Sequence, residues 1–137
     1  MTADGDDELR IQLQRVARRI RRNRSADDLS DSQLGVLFQL EEADCSPSEL
    51  AAHERVTPPS MNRTLNGLER AGFVARHPSP DDARRVRVTL TPAGLAQIAE
   101  TRAIRTAWFS QRLDDFTPDE RRALEAVTPL LRRIAES

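Results

Sequence analysis

The sequence predicts a mainly α-helical chain with a small two-stranded β-ribbon, in the element order α-α-α-α-β-β-α-α. Three observations predict this fold class. Serine or threonine caps, followed by proline, glutamate or glutamine, mark the starts of the later helices. Apolar residues recur at helical spacing between these starts. Only residues 73–90 break the helical pattern, because two short apolar runs there flank a polar loop.

The first two helices are predicted at residues 8–23 and 30–43. The apolar residues of the first helix recur at spacings of four, three and four, so they share one face. They are Leu9, Leu13, Val16 and Ile20. In the second helix, Ser30 is the cap and Gln33 completes a capping box.

The third and fourth helices form a pair joined by a short turn. A capping box of Ser46 and Glu49 opens the short third helix. The fourth covers residues 58–71; Thr57 precedes it and Gly72 ends it.

A hairpin follows the pair, with strands at residues 73–76 and 86–90 and a polar tip at 78–85. A helix pair followed by a basic hairpin is the layout of a winged helix-turn-helix, which places one helix in the DNA major groove. We therefore predict a winged helix-turn-helix lobe with a small β-wing over residues 30–91.

Two further helices are opened by Thr91 and Thr117. Together with the first helix, they carry more apolar surface than a thin monomer of this length would cover. We therefore expect residues 8–24 and 92–136 to form the dimerisation region of a homodimer, within a single domain that spans residues 1–137. The alternative is that these helices fold back on the lobe.

Composition excludes several classes of protein. No apolar run approaches the roughly 18 residues of a membrane span, and the acidic N-terminus lacks the apolar stretch of a secretory signal. The one cysteine excludes a framework of internal disulfides. We expect a cytoplasmic protein that makes no membrane contact.

The distribution of charge favours a polyanionic partner, although the net charge is -1. All 21 basic residues are arginines. Residues 10–24 carry seven of them and no acid, and residues 53–87 carry seven against four acids. Local field, and not total charge, concentrates a polyanion at a surface. We therefore expect double-stranded DNA as the partner.

The fourth helix has a polar face opposite its apolar face. The polar residues considered for DNA contact are Ser60, Asn62, Arg63, Asn66 and Arg70. Arginine suits guanine O6 and N7, and asparagine suits adenine N6 and N7. Because the N-terminal half of a recognition helix enters the groove most deeply, Ser60, Asn62 and Arg63 are the candidates for base edges. A merely solvated polar face is the alternative.

The tip of the hairpin adds a second group of candidates. Arg84, with Arg85 beside it, suits the narrow and electronegative minor groove. Asp82 precedes Arg84 by two residues and is expected to hold its guanidinium by a bidentate contact. The alternative is an ordinary exposed hairpin with a surface ion pair of little energetic consequence.

With these features together, the sequence resembles the MarR family (multiple antibiotic resistance regulators). The matching segments are residues 60–65, 68–76 and 82–94. The Asp-x-Arg of the wing, with Leu-Thr six and seven residues after the arginine, is a specific pattern of that family. The resemblance is strongest from Leu50 to Gly94 and extends over nearly the whole chain.

The resemblance implies a triangular homodimer that binds pseudo-palindromic promoter DNA, usually as a repressor. It assigns Ser60, Asn62 and Arg63 to the major groove and Arg84, held by Asp82, to the minor groove. It assigns Arg76 to support of the DNA-backbone contact. It also implies that small aromatic or anionic compounds bind between lobe and dimerisation region and release the DNA.

Two departures from the family pattern affect sensing. Peroxide-sensing relatives use a cysteine on the first helix backed by tyrosines, whereas Cys45 lies between helices two and three and the chain has no tyrosine. We expect Cys45 to be a small buried apolar residue. The first helix is dense in arginine, and Arg18, Arg19 and Arg22 are candidates for a carboxylate effector; a solvated helix face is the alternative.

An enzyme has little support in the sequence. His53 and His77 lie far apart and have no metal-ligand spacing with Cys45, so neither a metal nor a cofactor is expected. The sequence also offers no nucleophile paired with a base and no phosphate-binding glycine loop. The rival interpretation is a winged-helix protein-interaction module, which would not need arginines on both the recognition helix and the wing.

Overall fold

The computed structural model describes residues 2–24 and 29–137. Six helices and two strands follow one another in the predicted order. They are α1 (Ala3–Arg21), α2 (Asp31–Glu42), α3 (Pro47–Glu54), α4 (Pro58–Arg70), β1 (Val74–Pro78), β2 (Val86–Leu90), α5 (Pro92–Leu113) and α6 (Pro118–Glu136). The fold class is therefore confirmed.

Helix α1 begins at Ala3, five residues before the predicted start at residue 8. The hydroxyl of Thr2 accepts a hydrogen bond from the Gly5 amide at 3.3 Å and so caps the helix. Acidic residues in the first turn, Asp4 and Asp6, favour the positive end of the helix dipole. The apolar stripe that predicted α1 begins only at Leu9, so it gave no signal for this first turn.

The other caps agree with the sequence. Reciprocal capping boxes open α2, α3 and α6, at Ser30, Ser46 and Thr117. Gly72 ends α4 with φ of 83°, which a residue with a side chain rarely adopts, and the chain turns there into β1.

Strands β1 and β2 form an antiparallel hairpin, with Val74 opposite Leu90 and Pro78 opposite Val86. Cys45 adds a bridge to β2, because its carbonyl accepts a hydrogen bond from the Val88 amide at 2.8 Å. Cys45 is buried, as expected. Burial, with the nearby Glu49 carboxylate, raises the pKa of its thiol, which disfavours the reactive thiolate.

The hydrophobic core lies inside the lobe. Fully buried side chains come from α2, α3, α4, β2 and the first half of α5, and the largest are Leu37, Leu50, Met61, Leu65, Leu68 and Ile98. Helices α1 and α6 contribute no buried residue. The apolar residues of α6 are 37% to 62% exposed: Leu124, Val127, Leu130, Leu131 and Ile134. Among residues 2–24 and 29–137, folding back on the lobe therefore does not cover α6.

A junction of four residues, called here the Phe38 junction, joins the lobe to α5. Arg102 of α5 forms a two-pronged ion pair with Glu41 of α2, at 2.5 and 3.3 Å. Arg102 and Arg105 both stack on the Phe38 ring, at 5.6 and 5.4 Å from its centroid. Arg105 also donates hydrogen bonds to two carbonyls at the end of α1, those of Arg21 and Asn23.

The carboxyl at this junction gives a pH-dependent prediction. The Arg102 guanidinium lowers the pKa of Glu41 below its ordinary value of 4.5. Because the pKa of Glu41 is lower in the folded state, its ionised carboxylate stabilises the fold at pH values above the unfolded-state pKa. This contribution to stability is lost as pH falls through the folded-state pKa. We expect Glu41→Gln to lower the free energy of unfolding by about 0.2–1 kcal/mol at neutral pH, because the pair is exposed. The difference should decrease as pH falls through the lowered pKa of the Glu41 carboxyl. Urea denaturation at neutral and at acidic pH measures it.

Glu42→Gln is the matched control, because Glu42 is exposed and forms no ion pair within residues 2–24 and 29–137. A Glu41→Gln deficit that is the same at neutral pH and in acid strong enough to protonate the Glu41 carboxyl contradicts the assignment to the ionised carboxylate.

Candidate nucleic-acid interface

Helix α4 is held by one face and exposes the other. Met61, Leu65 and Leu68 are at most 2% exposed and fix the inward face. Thr57 caps the helix, because its hydroxyl accepts a hydrogen bond from the Ser60 amide at 3.3 Å. Four exposed polar residues form what is called here the outer face of α4: Asn62, Arg63, Asn66 and Arg70. Ser60 is half-buried at the edge of this face.

The N-terminal half of the outer face has no internal partners. Within the described residues, the side chains of Asn62 and Arg63 form no hydrogen bond or ion pair with the rest of the chain. Arg63 therefore presents a full set of donors to a ligand. These are the residues that the sequence assigned to base edges, and that role stays a prediction.

The C-terminal half of the outer face is tied to the lobe. Arg76 of β1 donates from Nη2 to Oδ1 of Asn66 at 3.0 Å, and its Nε lies 3.2 Å from Oε2 of Glu69. Arg70 donates from Nε to the backbone carbonyl of Asn66 at 3.3 Å and pairs with none of the described acids. Arg76 thus supports α4 directly, while its expected support of the DNA-backbone contact stays a prediction.

The tip of the wing exposes its arginine almost completely. The side chain of Arg84 is 93% exposed, and Oδ1 of Asp82 lies 3.4 Å from its Nε. The same oxygen accepts a hydrogen bond from the Arg84 backbone amide at 3.0 Å. The expected bidentate contact is therefore wrong. A single oxygen of Asp82 contacts both the backbone amide and the Nε of Arg84, because the short turn brings that amide within reach of the carboxylate. Arg85 closes this turn through its amide, which donates to the Asp82 carbonyl at 3.0 Å.

The structure identifies Arg87 as a further candidate for DNA contact, which the sequence alone did not indicate. It lies on β2 and, with Arg84 and Arg85, lines a polar groove between the wing and the start of α3. The opposite wall includes Ser46 and Ser48. The sequence signal that could have identified Arg87 is the run of three arginines within residues 84–87.

The effector candidates lie at the end of α1, with Arg18 and Arg19 in its last turn and Arg22 as its cap. Arg19 stacks on Trp108 of α5 at 5.1 Å from the ring centroid, and Arg112 stacks on the same ring at 4.8 Å. Arg18 and Arg22 are exposed. Residues 2–24 and 29–137 contain no group of three or more metal-ligating side chains. None of the helices described has the length and apolarity to cross a membrane.

Known proteins share this sequence pattern and this fold. The sequence profile of the MarR family matches residues 27–85. An HTH-type transcriptional regulator of Mycobacterium bovis is 34% identical over 125 residues, or 90% of this chain and 87% of the relative. An HTH-type transcriptional repressor of Mycobacterium tuberculosis is 39% identical over 82 residues, or 60% of this chain and 59% of the relative. A Pseudomonas aeruginosa protein, described as a transcriptional regulator, superposes with a TM-score of 0.83, at 36% identity over 98% of this chain and 96% of that chain.

Proposed function

The chain belongs to the MarR family of DNA-binding transcriptional regulators, and we propose that it acts as a homodimeric repressor on pseudo-palindromic promoter DNA. One observation carries the proposal. The exposed, internally unpaired end of α4, at Asn62 and Arg63, lies in the same lobe as an arginine that is almost fully exposed on the wing. A protein-interaction module needs neither feature.

We assign Arg63 and Arg84 to different grooves of the DNA. Arg63, with Ser60 and Asn62 beside it, enters the major groove, where a guanidinium matches guanine O6 and N7. Arg84 enters the minor groove, where it responds to width and negative potential and not to individual bases. Asp82 limits the rotamers of Arg84 before binding, which reduces the entropy lost on contact. Arg85 and Arg87 are proposed to contact phosphates of the DNA backbone.

Homodimer formation is proposed from the uncovered faces of α1 and α6. A second copy related by a two-fold axis would present the same stripes and cover both. The symmetry then sets the operator, because two α4 helices related by this axis meet half-sites about 10 base pairs, or roughly 34 Å, apart. Repression is supported by the Mycobacterium tuberculosis relative, which is named a repressor.

The dimer is tested by charging the uncovered stripe. Leu131→Asp places a carboxylate among the apolar residues of α6, and burying an unpaired charge in an interface is strongly unfavourable. We expect wild type to sediment as a dimer at micromolar concentration and Leu131→Asp to dissociate or unfold. Arg132→Asp is the control, because position 132 lies away from the stripe and should leave the dimer intact. A stable wild-type monomer overturns the proposed assembly.

The two arginines are distinguished by what each contacts. Arg63→Ala should cost about 1–3 kcal/mol on the operator and relax the base preference at one position per half-site. Arg84→Ala should weaken binding more evenly across sequences and reduce the salt dependence by about one unit of slope per lost contact. Asp82→Ala should be a milder version of Arg84→Ala. Titrations on operator variants at several salt concentrations measure all three.

The rival interpretation has its own outcome in the same titrations. If Arg84→Ala binds the operator like wild type at every salt concentration, the wing is not a DNA element here. The protein-interaction module is then the better description.

Release by a small aromatic or anionic effector completes the proposal. A ligand shifts DNA binding only through its differential affinity for two lobe arrangements, and a coupling of about 1–3 kcal/mol weakens DNA binding roughly 5–150-fold. Arg18, Arg19 and Arg22 supply cations for a carboxylate. We expect an aromatic acid such as salicylate to raise the melting temperature and lower operator affinity. A panel of aromatic acids that changes neither at millimolar concentration contradicts this part.

A further inference from the structure

The side-chain amide of Asn66 has a fixed orientation. Arg76 reaches from β1 across to α4, where Asn66 and Glu69 lie one helical turn apart. Its Nη2 donates to Oδ1 of Asn66 at 3.0 Å, and its Nε lies 3.2 Å from Oε2 of Glu69 without forming a hydrogen bond to the described residues. The Arg76 side chain is only 28% exposed, so the packing of the lobe holds the guanidinium in place.

A guanidinium carries five N–H donors and no acceptor. The amide oxygen of Asn66 must therefore face Arg76, because the opposite orientation would bring donors against donors. This leaves the NH2 group on the open side of an exposed residue, with no acceptor among the residues that the structure describes. A rotation that frees the oxygen would break a charge-assisted hydrogen bond.

We propose that Asn66 meets DNA with its NH2 group as a hydrogen-bond donor, because the hydrogen bond from Arg76 holds the amide oxygen toward β1. This rests on the proposed function and refines it. Two-pronged recognition of adenine needs the amide oxygen to accept from N6 while the NH2 group donates to N7. That pairing, which the sequence suggested for asparagine, is closed to Asn66. Its ligand is an acceptor atom: O6 or N7 of guanine, O4 of thymine, or a phosphate oxygen.

The neighbouring residues extend the same chemistry. Arg63 and Arg70 lie one turn before and one turn after Asn66 on the outer face of α4, and arginine also only donates. Three successive positions therefore turn donors outward, while the one amide oxygen among them is held toward β1. Such a row suits acceptor-rich groove edges and cannot satisfy the amino groups of cytosine or adenine.

The first arm of the test measures the contact without DNA. A double-mutant cycle of Asn66→Ala and Arg76→Met in thermal unfolding should show that the two substitutions are coupled, because each removes the same hydrogen bond. Additive effects on stability overturn the inference even if DNA binding is normal. Coupling in a protein that binds no promoter DNA overturns the proposed function instead, so the two failures are distinguishable.

The second arm selects binding sites from randomised operators. Asn66→Ala should bind about tenfold more weakly than wild type. Asn66→Asp keeps the contact to Arg76 but loses both donors, and it should bind no better than Asn66→Ala. Arg76→Met frees the amide oxygen and should introduce an adenine preference at one position per half-site. Arg76→Lys is the control that retains a donor and should keep the wild-type preference.

The outcomes distinguish a base edge from a phosphate as the acceptor that Asn66 contacts. If Asn66→Ala loses preference for guanine or thymine at one position, the ligand is a base edge; if it weakens all sequences equally, the ligand is a phosphate. Both support the inference. A wild-type adenine preference that Asn66→Ala abolishes and Arg76→Met leaves unchanged would falsify it. So would operator binding by Asn66→Ala that equals wild type. If Arg76→Met does not fold, Asn66→Asp and Asn66→Ala still decide between these results.

Discussion

The burial of one face of α4 determines which of its residues face outward, and the proposed DNA contacts depend on this. Complete burial of a leucine or methionine side chain contributes about 1.5–3 kcal/mol, and Met61, Leu65 and Leu68 are all buried in this way. An exposed ion pair contributes about 0–1 kcal/mol. The apolar stripe therefore decides how α4 is rotated, and polar contacts such as Arg76 with Glu69 adjust a helix that is already seated. Arg63 faces outward as a consequence, because it lies opposite the stripe.

The lobe and the proposed dimerisation region are not independent, because α5 belongs to both. At its start, Gly94 packs so closely on the residue before β1 that an added Cβ would lie 2.2 Å from the Phe73 carbonyl oxygen. Further along, the Phe38 junction fastens α5 to α2 and, through Arg105, to the end of α1. Burial lowers the pKa of Arg105, so this guanidinium has exchanged water for backbone carbonyls and the Phe38 ring. A ligand that moves the lobe relative to α5 would have to break these contacts.

Local sequence signals predicted the helices and strands, but they did not predict the tertiary contacts. The caps at Ser30, Ser46 and Thr117 are written within four consecutive residues each, and the structure confirms all three. The burial of Met61, Leu65 and Leu68 follows from helical spacing alone. The contact of Arg76 with Asn66 joins residues ten apart on different elements, and that of Arg105 with Asn23 joins residues 82 apart. No local pattern specifies such pairs, which is why the sequence listed Asn66 only as a polar residue of the DNA-facing side and did not predict its contact with Arg76.

A net charge of -1 is compatible with DNA binding because of where the acids lie. Glu69 pairs with Arg76, which is partly buried and supports α4 from behind. Asp82 pairs with Arg84 but leaves its side chain 93% exposed, so its charge still reaches solvent. None of Arg63, Arg85 and Arg87 forms an ion pair within the described residues. Glu69 therefore pairs with a supporting arginine, and Asp82 contacts Arg84 without covering it. Glu49 and Asp81 line the same groove as Arg85 and Arg87, so the charge of that groove is mixed, whereas the first turn of α4 carries no acid.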